Sequence, residues 1–124
     1  MMVKICLDSD IIIDFLEGRK AAIEKLKHYI EKEEIVTTSV VMFEVLASVR
    51  SIAPVLRFMG NLEILGFDEQ SAELASKIYR DGMKEGIRLS TRAIINAAIC
   101  IRNDAFLLTK NRNEYAGIKG LKVV

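Results

Sequence analysis

With 124 residues, of which 51% are apolar and 28% charged, the chain is long enough to bury one core and too short for two, and this balance excludes disordered and fibrous classes. No uncharged apolar run approaches the length of a membrane span. A formal net charge of +1 excludes any general pull on nucleic acid, so contact with RNA would have to come from a local basic patch.

Val3–Leu7 reads as a buried first strand that reaches Asp8 too soon to be a secretory signal. Asp8, Ser9 and Asp10 then supply cap residues for a helix that stops at Gly18. Arg19–Glu33 carries Ile23, Leu26, Tyr29 and Ile30 at helical spacing, and the β-branched run Ile35–Thr38 follows as a second strand. Ser39 is the expected cap of a helix through Val40, Phe43, Leu46 and Ala47, and Pro54 opens a short helix ending near Gly60. Leu62–Phe67 fits a third strand. Asp68 caps a helix with Ala72, Ala75, Ile78 and Tyr79 on its apolar face, and Thr91–Arg102 is a further helix. Ala105–Thr109 and Leu121–Val124 complete the strands. Apolar strands alternating with helices predict an α/β fold, a three-layer α/β/α sandwich around a mostly parallel sheet of about five strands. No repeat or linker divides residues 1–124, so one domain is expected. Cys6 and Cys100 lack metal-ligand spacing and read as free buried thiols of a reducing cytoplasm.

In such sheets ligands bind beyond the carboxyl ends of the strands. Asp8 follows the first strand, Glu44 lies about a turn past the second, and Glu114 follows the fourth. Carboxylates brought to one edge repel one another unless a cation sits between them, and an all-oxygen set suits Mg²⁺ or Mn²⁺. The chemistry such a site supports is phosphoryl hydrolysis by water. Taken singly, Asp8 or Asp10 serves equally well as a helix cap and Glu114 as a solvated loop residue. Glu44 differs, because Val40–Val49 is otherwise apolar apart from Ser48, and a charge there needs a partner. Lys110, Arg112, Arg88 and Arg92 flank the edge and could meet phosphates. The single histidine, His28, reads as a surface residue, which excludes a paired-histidine nuclease.

Four segments in order resemble the PIN-domain family, most closely its VapC-type toxins. Leu7-Asp8-Ser9-Asp10-Ile11 is similar to the opening motif, Thr38–Leu46 with Glu44 to the second, Ile95–Ile99 to the third and Leu108–Tyr115 to the fourth. The resemblance implies an Mg²⁺- or Mn²⁺-dependent endoribonuclease, the toxin of a toxin–antitoxin pair. Asp8 and Glu44 would hold the metal with Glu114 or Asn111 assisting, Asp10, Ser9 and Thr109 supporting, and Lys110, Arg112 and Arg92 meeting RNA. It further implies an antitoxin whose tail enters the acidic cleft and a homodimer built on the early helices, for which Phe43, Val55, Phe58 and Met59 are candidates. Ala93 stands where the family has an Asp, which implies a weakened or inactive site and leaves a non-catalytic PIN-fold binding module as an alternative. A haloacid dehalogenase-like phosphatase using Asp8 is a second alternative, suggested by Asp8-Ser9-Asp10.

Overall fold

The computed structural model describes all 124 residues. Five strands, β1 (Lys4–Leu7), β2 (Glu34–Thr38), β3 (Glu63–Leu65), β4 (Ala105–Leu108) and β5 (Lys122–Val123), form one sheet in the order β3-β2-β1-β4-β5. Every adjacent pair is parallel, with Cys6 opposite Val36 on one side and Leu107 on the other. The two edge strands, β3 and β5, are shorter than the apolar runs that announce them: Leu62–Phe67 yields only Glu63–Leu65, and Leu121–Val124 yields Lys122–Val123.

Helices α1 (Ser9–Leu16), α2 (Lys20–Ile30), α3 (Ser39–Ser48) and α4 (Ala53–Met59) cover one face, and α5 (Glu69–Glu85) and α6 (Thr91–Arg102) the other. Side chains alternate across a strand, so Ile5 and Leu7 pack with Ile11, Ile12, Val41 and Val45, while Cys6 packs with Ala97, Ile99 and Cys100. Both cysteines are buried and free. Two helix expectations are corrected. Thr38, the last residue of β2, caps α3 by accepting the Val41 N–H at 3.1 Å, in place of Ser39. The buried stripe of α5 is Ser71, Ala75, Ile78 and Gly82, so Ala72 and Tyr79 face solvent.

Parallel crossovers deliver the start of α1, the start of α3 and the segment after β4 to the same edge of the sheet. The strand order reverses between β1 and β4, and a crevice opens at such a reversal.

Candidate active site

Asp8 leaves β1 with its backbone N–H still bonded to the Leu108 carbonyl of β4, and its carboxylate caps α1 through the Ser9 N–H at 2.8 Å. Capping and site membership are therefore one role here. Glu44 projects from the second turn of α3, and Glu114 from a short 3-10 helix, Arg112–Tyr115, after β4. All three meet on Arg92, in the first turn of α6.

The guanidinium uses every donor it has. Nε donates to Glu44 Oε2 at 2.8 Å, and Nη2 donates to Glu44 Oε1 at 2.6 Å and Asp8 Oδ1 at 2.8 Å. Nη1 donates to Glu114 Oε1 at 3.0 Å and to the Tyr115 hydroxyl at 2.7 Å. The Glu44 pair is bidentate, the strong geometry for arginine and a carboxylate. Asp8 is 2% exposed, and the Arg92, Glu44 and Glu114 side chains are about a quarter exposed at 25%, 27% and 22%.

Beneath the ions runs a buried polar chain. Thr38 Oγ1 donates to Asn96 Oδ1 at 2.6 Å, Asn96 Nδ2 to the Tyr115 hydroxyl at 3.0 Å, and that hydroxyl to Asp8 Oδ2 at 2.9 Å. Burial acts to raise the Asp8 carboxyl, but hydrogen bonding and charge from Arg92, with help from Ser9 and Thr109, outweigh it and hold the group below the ordinary aspartate value. Burial and the Asp8 charge push the Tyr115 phenol far up, so it stays a neutral donor. Burial opposes the Arg92 charge, yet Glu44 and Asp8 more than compensate and the guanidinium stays protonated.

The other expected residues lie to one side. Asp10 accepts the Lys110 N–H at 2.9 Å and the Thr109 hydroxyl at 3.4 Å through Oδ2, while its buried Oδ1 has no partner. Burial, then the Asp8 charge, keep its carboxyl above the ordinary value. Ser9 reaches the cluster only through its backbone N–H, and exposed Asn111 acts through its backbone, donating its N–H to Thr109 Oγ1 at 3.1 Å and accepting the Glu114 N–H at 3.1 Å.

The residues expected to meet phosphate, Arg88 apart, have partners within the chain. Arg92 is bound to carboxylates, Lys110 Nζ pairs with Asp14 at 2.5 Å, and Arg112 donates to the Val124 carbonyl at 3.2 Å. Exposed Arg88 lines a shallow apolar cleft with Tyr79, Met83 and Ile87. Ala93 is fully buried on the helix face it shares with Asn96, one turn before it. Tyr115 and Asn96 are site residues that the sequence does not single out for chemistry. A lone amide inside the apolar run Ile94–Ile101 is the signal that marks a buried polar group in need of a partner.

The oxygen donors are of the kind Mg²⁺ or Mn²⁺ takes, but as placed they do not fit one. The guanidinium lies among all three carboxylates, and no three acidic, histidine or cysteine side chains are disposed to hold a metal ion.

The PIN domain profile matches residues 5–119. The chain belongs to the PIN domain family. Its fold is similar to that of a chain in the crystal structure of DNA-bound VapBC2 from Rickettsia felis, with TM-score 0.87 and 17% identity over 98% of each chain. A chain of DNA-bound VapBC from Salmonella typhimurium gives TM-score 0.82 and 21% identity, covering 99% of this chain and 98% of that one. A toxin–antitoxin complex from Klebsiella pneumoniae gives 0.78 and 19%, covering 94% and 93%. No curated protein sequence matches the chain. For a PIN domain the phosphatase alternative falls away, and both Asp8 oxygens are engaged, Oδ1 by Ser9 and Arg92 and Oδ2 by Tyr115. No helix is long and apolar enough to cross a membrane.

Proposed function

We propose that this PIN domain is a VapC-type toxin, an endoribonuclease that hydrolyses RNA phosphodiesters at the Asp8–Glu44–Glu114 centre and is held in check by an antitoxin protein. The observation that carries the reading is the convergence of three carboxylates, from three separate elements, at the reversal of strand order. Water would be the nucleophile, and ionised carboxylates at hydrogen-bond reach can orient it and take its proton. Mg²⁺ or Mn²⁺ is the expected cofactor of this reading, and the centre must rearrange to admit it. The cytoplasm is the expected compartment, in keeping with two free buried thiols.

A cleft of about 580 Å³ suits an antitoxin segment. Phe15, Leu26, Ile30, Phe58 and Leu62 line it, and Glu33, Glu34 and Glu63 add acid to its wall. That chemistry suits an amphipathic helix with apolar anchors and basic flanks.

The test is cleavage of a fluorogenic RNA with increasing Mn²⁺ against a chelator blank. The chain should cleave, and Glu44→Gln should not. The second reading, a binding module without turnover, is favoured by a guanidinium with all five donors already satisfied. No cleavage by the native chain or by Arg92→Gln, with antitoxin binding intact, would select it.

A further inference from the structure

A net charge of +1 leaves the chain no general attraction for a polyanion, so RNA near the acidic centre must be held by a local patch of unpaired cations. Arg92, Lys110 and Arg112 are already bonded within the chain. The second half of α5 differs. Arg80 and Lys84 stand one turn apart on its exposed surface, Arg88 follows in the loop to α6, and none of the three forms an ion pair. The acids beside them, Asp81 and Glu85, are held at 2.8 Å by Lys77 and Lys119. The neighbouring row of the same helix is Tyr79 and Met83, each more than half exposed.

Tyr79 and Met83 wall a cleft of about 300 Å³ with Ile87, Leu89 and Ile94, and Arg88 is its only charge. The cleft is preformed. Gly86 ends α5 in the left-handed conformation and turns the chain back, so that the Ile87 N–H donates to the Gly82 carbonyl at 2.8 Å and Leu89 lies over Gly82. The same loop touches the segment that carries Glu114. Ile87 packs on Gly117 so closely that a Cβ there would lie 2.9 Å from Ile87 Cδ1, and Ser90 donates its hydroxyl to Glu114 Oε2 at 3.1 Å.

We infer that this cleft is a nucleotide subsite for the RNA substrate, in which one unpaired base stacks on the Tyr79 ring and Arg88, with Arg80 and Lys84 beside it, meets the phosphates leading to the acidic centre. An exposed aromatic ring next to free cations is the combination that holds single-stranded RNA. The subsite rests on the reading of the protein as one that acts on RNA, but neither metal nor turnover enters its test. A chain that binds RNA here and cleaves none would defeat the ribonuclease reading and leave the subsite standing.

A fluorescein-labelled single-stranded RNA of about twelve nucleotides, a span typical of such grooves, is titrated by anisotropy in the presence of a chelator. The full native chain is compared with Tyr79→Ala, Tyr79→Phe, Arg88→Gln and Lys27→Gln, the last on α2 across the sheet. Tyr79→Ala should weaken binding about tenfold, as for one base taken off an aromatic ring. Tyr79→Phe keeps the ring and should bind like the native chain, as should Lys27→Gln. Arg88→Gln should lower the slope of log affinity against log salt by about 0.7, the loss of one phosphate contact on a single strand. An abasic strand of the same length should bind the native chain about tenfold more weakly than the RNA and lose nothing further in Tyr79→Ala. Tyr79 and Arg88 are exposed, so the melting curves should coincide. Equal RNA affinity in the native and Tyr79→Ala chains, no RNA binding by any chain, or an abasic strand bound as tightly as the intact one would overturn the subsite. Polyglutamate that displaces the RNA at matched charge would overturn it too, by assigning the patch to an acidic protein.

Discussion

Arg92 and Asp8 depend on each other in a way that pH can expose. With Arg92 present, the Asp8 carboxyl titrates below its unfolded value of 3.8, so it contributes stability that is present above that value and lost as pH falls through the folded one. Without Arg92 only burial and the remaining bonds act, and burial alone raises the group. The sign then reverses: stability would be greatest below about 3.8 and lost as pH rises through the raised value. Arg92→Gln should therefore show a stability that declines from acid toward neutral pH where the native chain gains, readable as urea midpoints from pH 3 to 7. At neutral pH the loss should be about 3 kcal/mol, as for breaking a buried pair from one side. Parallel pH profiles of the two chains would show that Asp8 does not feel the guanidinium.

At the scale of an element, Thr38 joins β2 to α3 and ties both to α6. Its hydroxyl accepts the Val41 N–H and donates to Asn96, so one oxygen caps a helix and anchors the polar chain below the carboxylates. Thr38→Val should cost about 2 kcal/mol, a lost cap plus a buried amide oxygen left unpaired, whereas Ser39→Ala should be nearly neutral. Chemical denaturation of the two variants checks this.

The same residue shows how much of the fold and site could be read beforehand. Apolar runs and helix stops announced five strands and the carboxylates at their ends, because those signals are local. Thr38 and Ser39 are equally good caps by type, and the end of a strand defined by its neighbours decides between them. Asp8 and Glu44 were legible for the same local reason. Arg92 was not: at the start of a helix a basic side chain reads as a phosphate contact, and its turn inward depends on three residues 84, 48 and 22 positions away.

For the whole molecule, large apolar side chains stand exposed around α3 and α4. Phe43 is 69% exposed, Ile52 53% and Leu56 46%, all on or beside α3 and α4, while Phe58 packs against Phe15 with ring centroids 5.3 Å apart. Val55 and Met59, expected at a dimer surface, are instead core at 1% and 3% exposure. A homodimer built on the early helices should thus use Phe43, Ile52 and Leu56. Phe43→Glu should shift sedimentation toward the monomer with the melting temperature unchanged within about 2 °C, as expected for a surface substitution. A native chain that is already monomeric at high concentration would remove the dimer.

The all-parallel sheet has a consequence for synthesis. Asp8 is synthesised well before its partners Arg92 and Tyr115, which lie 84 and 107 positions later. Parallel strands bring such distant groups together only after their crossovers have closed. A nascent or truncated chain lacking the segment after β4 has no Glu114 or Tyr115 to contribute, so the acidic centre exists only once synthesis has passed Tyr115 and the fold has closed around it. The antitoxin of the proposed function need not act on the growing chain.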